Sequence, residues 1–339
     1  MLGPATERDL LVRAATGDEA AFAALVEPHQ RSVFRHCYRM LGSGADAEDA
    51  SQDTLVRAWR RLASFDGSGA FAGWLHKIAT NVCLDTLRSR RTRLDPVDHG
   101  PPSSPDGFSL VPDPGLLWVE PVSDAELAGG VDPQDEVVRR EEVSLAFVAA
   151  LQRLAPRQRA ALLLHDVLGF SHSEVREVLG VTPSAVNSLL SRARETVRAR
   201  PRVLPPDPAD ARVAELLDRY VRAWQLADIN AFVALVAEDV RFSMPPLSAW
   251  FDGREAVTAF IETAIFATSR PHGIVMRAGW CNGQPAFATY QPDPAGQLVA
   301  NGMQVLELAH RSGRLVITAI VSFRDPRLAA RCGLPPALP

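Results

Sequence analysis

The chain reads as a multi-domain protein: two all-α modules, the second carrying a helix-turn-helix, followed by an α+β domain. Three observations predict this. Its 339 residues exceed the size at which one hydrophobic core keeps growing. Apolar residues recur at helical spacing through the first part of the chain and turn to strand-like alternation after residue 239. Two proline-rich joints interrupt the pattern. The expected bounds are a first helical module over residues 1–94, a linker over 95–133, a second helical module over 134–202, a short joint over 203–211, an α+β domain over 212–327 and a tail over 328–339.

Composition excludes several classes. Hydrophobic residues make up 47% and charged residues 22%, ordinary for a globular protein and incompatible with wholesale disorder. The net charge of -4 hides segments of opposite sign, so charge has to be read by region. Cys37, Cys83, Cys281 and Cys332 are scattered without zinc-ligand spacing, which favours buried thiols in a reducing cytoplasm and implies no metal or cofactor. The first 18 residues carry Glu7, Arg8, Arg13 and Asp18 and lack the apolar core of a signal peptide. With no run of about 18 apolar residues, the expectation is a cytoplasmic protein with no membrane partner.

In the first module the periodic residues are Phe22, Leu25 and Val26, then Val33, Phe34, Cys37 and Leu41. Breaks at 42–46 and 66–69 leave room for four helices. The linker holds Pro96, Pro101, Pro102, Pro105, Pro112, Pro114, Pro121 and Pro133, which exclude a long helix. It also holds an apolar cluster, Leu116, Leu117, Trp118 and Val119 beside Glu120 and Pro121; such clusters mark contacts. Helical spacing resumes over 134–200. Beyond Pro201, Pro205, Pro206 and Pro208, helices are expected over 212–227 and 229–236, then strands over 240–244, 274–280, 284–291, 298–309 and 314–323.

Residues 171–179 read as a short helix, Gly180 and Val181 as a tight turn, and Thr182 as the cap of a helix with Pro183 at its first position. This is a helix-turn-helix. The second helix, over 183–200, gathers Val186, Leu189, Leu190, Ala193 and Val197 on one face and turns Ser184, Asn187, Ser188, Ser191 and Arg194 outward, a polar set suited to base edges in a major groove. From Leu145 to Arg200 eight arginines (Arg153, Arg157, Arg159, Arg176, Arg192, Arg194, Arg198, Arg200) face four carboxylates (Asp166, Glu174, Glu177, Glu195), a local excess able to neutralise phosphates.

The first module divides its charge. Asp46, Glu48, Asp49 and Asp53 cluster on one helix, suiting a basic partner, and Lys77, Arg88, Arg90, Arg91 and Arg93 follow on the next, suiting a phosphate backbone. Phe65, Phe71 and Trp74 surround the loop between them, either as core or as supports for unstacked bases.

The run from Ala47 to Trp59 (AEDASQDTLVRAW), with Phe71 to Asn81 (FAGWLHKIATN), resembles region 2 of the extracytoplasmic-function sigma factors. Leu154 to Ala160 (LAPRQRA), Asp166 to Phe170 (DVLGF) and the helix-turn-helix resemble region 4 of the same family. The resemblance implies that Asp46, Glu48, Asp49, Gln52 and Asp53 bind the clamp of the largest subunit of core RNA polymerase, with the flap a second contact, and that Trp59 packs in the core. It implies that Asp66 and the loop to Ala70, with Trp74, Lys77 and Asn81, open the minus-10 element and capture an extruded base, Arg88 and Arg91 adding backbone contacts. Thr182, Ser184, Asn187, Ser188, Ser191, Arg192 and Arg194 would then read or position the minus-35 promoter DNA.

The last third is similar to the SnoaL-like branch of the cone-shaped nuclear-transport-factor-2 fold, on residues 212–239, the run Phe251 to Val257 (FDGREAV) and the later strands. In related groups such a tail and a Trp- and Pro-containing linker affect polymerase engagement, which assigns Trp118, Glu120 and Pro121 as the equivalent contact. Acid–base candidates in the tail are Asp239, Asp252 and His272, although Asp239 also suits a helix cap and Asp252 a turn. Trp224, Trp250, Trp280 and Tyr290 suit a core or, with Asp239 and His272, the lining of a pocket for a small-molecule ligand. Three functions follow: a sigma factor with a regulatory tail, a bifunctional protein with an attached enzyme, and a polymerase-independent repressor.

Overall fold

The computed structural model describes residues 6–65, 67, 70–89, 93–109, 111–113, 115–128, 144–198, 205–269 and 274–339. The expected helical stretch at 134–143 lies outside them, as do Asp66, Arg90, Arg91, Arg200 and His272. The chain forms two compact units, one of Met1–Thr92, Leu127–Val131 and Ala150–Arg200, the other of Arg93–Glu126, Asp132–Ala149 and Pro201–Pro339.

The first unit begins with α1 (Glu7–Ala15), capped by Thr6 and Asp9 in a reciprocal box. Then come α2 (Glu19–Leu41), ended by Gly42 in the left-handed conformation at φ 72°, α3 (Gly44–Arg61) and α4 (Phe71–Ser89). Leu25, Val33, Cys37 and Met40 on α2 and Leu75, Ala79, Val82 and Cys83 on α4 are buried core. The later part supplies the end of α5 (Leu145–Gln152), α6 (Pro156–Leu162) running into a π turn at Leu163–Val167, α7 (His172–Leu179) and α8 (Pro183–Arg198).

Arg159 departs from the expected basic surface: it is 0% exposed. Its guanidinium donates to the carbonyls of Leu151, Gln152 and Leu154, to Gln152 Oε1, and to the Met40 carbonyl. Gln152 Nε2 donates to the neighbouring Arg39 carbonyl at 3.1 Å. Helix ends leave carbonyls without intrahelical partners, and here one cation serves the ends of α2 and α5 together.

Two imidazoles are also buried in this unit. His36 Nε2 lies 2.9 Å from Thr80 Oγ1; His76 Nδ1 donates to the Ala72 carbonyl at 2.7 Å, with Ser32 Oγ 3.2 Å from its Nε2. Burial holds both below their ordinary value of 6.5, His36 well below it. The unfolded chain therefore binds more protons than the folded one once pH falls through the unfolded value, and stability present above that value is lost below it. Thermal unfolding of the full chain followed downward from about pH 7.5 is expected to show a falling midpoint below about pH 6.5. A midpoint that stays level there, in wild type and in His36→Asn alike, would contradict this.

In the second unit, α9 (Ala211–Gln225) and α10 (Ile229–Val233) precede a seven-stranded sheet. Its strands are β1 (Val236–Ser243), β2 (Trp250–Asp252), β3 (Val275–Cys281), β4 (Gln284–Pro292), β5 (Leu298–Arg311), β6 (Arg314–Phe323) and β7 (Ala337–Leu338). They run in the order β2-β1-β6-β5-β4-β3, with β7 added to β5; only β1 and β6 pair in parallel. Register shifts within β1–β6, β4–β5 and β5–β6 bend the sheet. Between β2 and β3, α11 (Arg254–Phe260) continues as a π turn at Ile261–Phe266. Tyr220, Trp224, Phe232, Phe242, Phe251, Phe260 and Phe287 form the aromatic core.

Three details differ from expectation, the first being that the tail expected over 328–339 adds β7 to the sheet. The helix expected over 229–236 stops at Val233, because the apolar pair Leu235 and Val236 enters the sheet core. Asp239 therefore stands on an exposed position of β1 rather than at a helix end. The short β2 was not expected at all, being three residues with no room for alternation.

Most of the stretch read as a linker, up to Glu126, belongs to this second unit. Arg93–Leu94 pairs in parallel with Leu117–Trp118. Trp118 is 5% exposed and its Nε1 donates to the Pro246 carbonyl at 3.0 Å. Phe108 packs edge-on against Phe251 and Phe260, with centroids 5.6 and 5.1 Å apart. Further along, Val122 N donates to Asn282 Oδ1 at 3.0 Å, Gly283 N to Asp124 Oδ1 at 2.7 Å, and Leu145 N to Gln284 Oε1 at 2.9 Å. Prolines withhold backbone donors, yet the apolar and aromatic residues between them bury area enough to hold an irregular chain in place.

Candidate nucleic-acid interface

Helix α3 starts at Ser43, whose hydroxyl caps it, and buries a face of small residues, Ala47, Ala50, Thr54 and Ala58, that lets neighbouring helices approach closely. The acidic residues consequently point outward: Glu48, Asp49 and Gln52 are exposed, Asp46 and Asp53 half-exposed. Val56, 47% exposed, extends this stripe with an apolar surface. Sequence reasoning missed it, because periodicity alone places a valine in a core. Trp59 packs edge-on against Phe22, 5.0 Å between centroids.

A surface chain of ions links α3 to α4. Arg57 bridges Asp53 at 2.9 Å and Asp85 at 3.1 Å, and Asp85 also holds Arg88 at 2.7 Å. Exposed pairs of this kind contribute about 0–1 kcal/mol each, so a polyanion or a basic partner can displace them.

At the start of α4, Phe65, Phe71 and Trp74 form an aromatic trio with centroids 5.4–5.6 Å apart. Phe71 is buried and Trp74 half-buried, so Trp74 has a ring edge to offer while its neighbours fix its orientation. Asn81 is exposed and its Nδ2 donates to the Lys77 carbonyl at 3.0 Å. Lys77 Nζ meets Glu177 of α7 at 3.3 Å. Trp74, Lys77, Asn81 and Arg88 thus share α4; Asp66 and Arg91 fall outside the described residues.

The helix-turn-helix is built as its residues require. Ser171 and Glu174 form a reciprocal cap on α7, and Gly180 ends it in the left-handed region at φ 60°. Val175 and Leu179 of α7 are buried, as are Val186, Leu190 and Ala193 of α8. Thr182, Ser184, Asn187, Ser188, Ser191 and Arg192 are exposed. Arg194 departs from that outward set: its guanidinium grips Asp166 in a two-pronged pair, Nε to Oδ2 at 2.9 Å and the terminal nitrogen to Oδ1 at 2.5 Å. It braces α8 against the π turn.

In the second unit, Asp239 faces solvent beside Arg311 at 3.7 Å and Asp252 is exposed at the end of β2. Trp250 is 7% exposed and donates to the Gly100 carbonyl; Trp280 is half-buried against the core. Tyr290 donates to the Pro335 carbonyl at 2.8 Å. Of the residues proposed for a pocket, Trp224 lines a cavity of about 380 Å3, and Asp239, Trp250 and Trp280 do not. Among the described residues no group of three or more metal-ligating side chains occurs, and no helix is long and apolar enough to cross a membrane.

Comparison with known proteins gives three family matches: Sigma-70 region 2 over residues 25–93, Sigma-70 region 4 over 144–197 and a SnoaL-like domain over 217–325. The ECF RNA polymerase sigma factor SigG of Mycobacterium tuberculosis is 41% identical over 323 residues, covering 94% of this chain and 85% of that protein. SigW of Bacillus subtilis, another ECF sigma factor, is 30% identical over 191 residues, 56% of this chain and 92% of its own. The crystal structure of the M. tuberculosis extracytoplasmic function sigma factor SigJ superposes with a TM-score of 0.58 at 25% identity, covering 92% of this chain and 100% of that one.

Proposed function

The chain belongs to the extracytoplasmic-function RNA polymerase sigma factors, which bind core polymerase and direct it to promoters, and from that membership we propose how its parts divide the work. The α3 stripe of Asp46, Glu48, Asp49, Gln52 and Asp53, with Val56, docks on the clamp of the largest subunit. Trp74, Lys77 and Asn81 engage the opened minus-10 element, with Arg88 on its backbone. Thr182, Ser184, Asn187, Ser188, Ser191 and Arg192 meet the minus-35 duplex, and Arg194 positions them through Asp166. In this reading the protein works in the cytoplasm, and its C-terminal domain is a regulator, with a small molecule as its input. Solvent-facing Asp239 and Asp252 suit a surface role better than acid–base chemistry in the cavity.

The described form is the resting one in this account. The two promoter elements lie roughly 25 base pairs apart, about 85 Å of duplex at 3.4 Å per pair. A compact unit of about 150 residues has a radius of gyration near 15 Å, so regions 2 and 4 must separate to reach both. The restraint on that separation is the linker. A free chain of about fifty residues can extend to the order of 150 Å, whereas one seated on the C-terminal domain from Arg93 to Glu126 cannot.

The observation that carries this reading is the burial of Trp118 with its Nε1 bonded to Pro246 O. Run-off transcription by core polymerase from a selected promoter pool tests it. Trp118→Ala is expected to raise promoter-specific transcript about 3-fold or more over wild type, since losing one buried aromatic anchor costs about 3–5 kcal/mol of docking. Equal or lower output from a folded variant would count against the restraint.

A further inference from the structure

The cavity in the C-terminal unit has a chemistry the sigma function does not use. Its sheet wall is made of residues on three adjacent strands, Thr289 and Gln291 on β4, Gln304 on β5 and Ser322 on β6, with Arg324 just beyond the end of β6. The apolar part of its lining includes Phe260, Ile265 and Met244. Trp224 also lines it, 2% exposed, and its Nε1 hydrogen has no partner of hydrogen-bond geometry. Buried polar groups in folded proteins are almost always paired; the Tyr220 hydroxyl is the internal group beside this donor, and the hydrogen remains open to a better-aligned acceptor entering the cavity.

The remaining polar groups point the same way. Tyr220 donates its hydroxyl to Gln304 Oε1 at 2.7 Å, which leaves chiefly the amide hydrogens of Gln304 to offer the cavity. Arg324 adds a guanidinium, and no carboxylate is among the described lining residues. An indole N–H, an amide NH2 and a guanidinium beside aromatic and aliphatic walls select an acceptor-bearing anion with a hydrocarbon body. A space of about 380 Å3 is the size that takes a small organic molecule.

The cavity also shares its walls with the linker's seat. Phe260 carries Phe108 on its ring, with centroids 5.1 Å apart. Met244 leads through Pro245, which accepts from Arg324 N at 2.8 Å, to Pro246, the acceptor for Trp118. Filling the cavity therefore bears on the residues that hold the linker.

We propose that this cavity binds a small apolar carboxylate, oriented by Trp224, Gln304 and Arg324, and that its occupancy is coupled to the linker held at Trp118. The regulatory half rests on the restraint described above; the binding half does not. The test is calorimetric titration of the full chain, without polymerase or DNA, with sodium decanoate, 1-decanol and decylammonium chloride. Decanoate is expected to bind saturably at one site, about tenfold or more tighter than decanol, with decylammonium weakest. Arg324→Gln, at an exposed side chain where folding is not at stake, is expected to erase the preference for the acid over the alcohol; Trp224→Phe is expected to weaken decanoate severalfold. Equal affinity for the acid and the ammonium, or no saturable binding of any probe, would overturn the site. Coupling is reciprocal, so Trp118→Ala must change the decanoate Kd by about threefold or more. An unchanged Kd with intact decanoate binding would overturn the link to the linker while leaving the site standing, and neither result depends on transcription.

Discussion

Reversing the charge of the α3 stripe with Glu48→Lys and Asp49→Lys together is expected to lower core polymerase affinity by about 100-fold or more. Each reversal removes an attraction and introduces a repulsion across a charge-complementary interface, where close pairs couple by about 1.5 kcal/mol or more; two such changes exceed the 2.7 kcal/mol that corresponds to 100-fold. Both side chains are exposed and the helix is held by its opposite face of Ala47, Ala50, Thr54 and Ala58. Folding stability should therefore change by about 0.5 kcal/mol or less. Titration of labelled protein into core enzyme, with circular dichroism as the folding control, separates the two. A double variant that binds core within threefold of wild type would remove α3 from the polymerase interface.

Arg159→Met is expected to destabilise the first unit by about 3–5 kcal/mol. The guanidinium is 0% exposed and is held by carbonyls of Leu151, Gln152, Leu154 and Met40 and by Gln152 Oε1. Burial pushes its pKa down to about 10, so it is still a cation at neutral pH. Methionine fills much of the volume but leaves those carbonyls without a donor, each costing about 1–3 kcal/mol. Lysine would restore the charge without the planar fork, so Arg159→Lys should recover only part of the loss. Denaturant unfolding read through the helical signal measures both. A loss below about 1 kcal/mol for Arg159→Met would mean that the carbonyls find other partners and that α2 and α5 are not joined through this side chain.

The same residue shows where sequence reading stops. Arg159 counted as one of eight arginines able to meet phosphate, because composition cannot tell that two helix ends would present unpaired carbonyls around it. Arg194 was read as outward for a similar reason: periodicity assigns a face, but whether a long side chain reaches DNA or folds back on Asp166 depends on the π turn. The helix-turn-helix itself was legible, since Ser171, Gly180, Thr182 and Pro183 are local signals whose effect does not depend on distant contacts. Strands β3 to β6 were legible for the same reason, their alternation being long enough to read. The three-residue β2 was not, being too short to show alternation, and the partners of Trp118 were not, because they lie across more than a hundred residues of chain, as between Trp118 and Pro246. Proline content marked the linker as irregular, and irregular does not mean unattached.

The most direct test of the resting form is the distance between its two DNA-binding regions. Arg60 on α3 and Glu195 on α8 are exposed, and the four native cysteines are buried, so labels placed through Arg60→Cys and Glu195→Cys can be measured by energy transfer in the free chain and in the complex with core polymerase and promoter DNA. One short distance is expected in the free chain and an increase of tens of ångströms, toward the roughly 85 Å between the promoter elements, in the complex. A distance that stays the same on forming a transcribing complex would contradict the resting form.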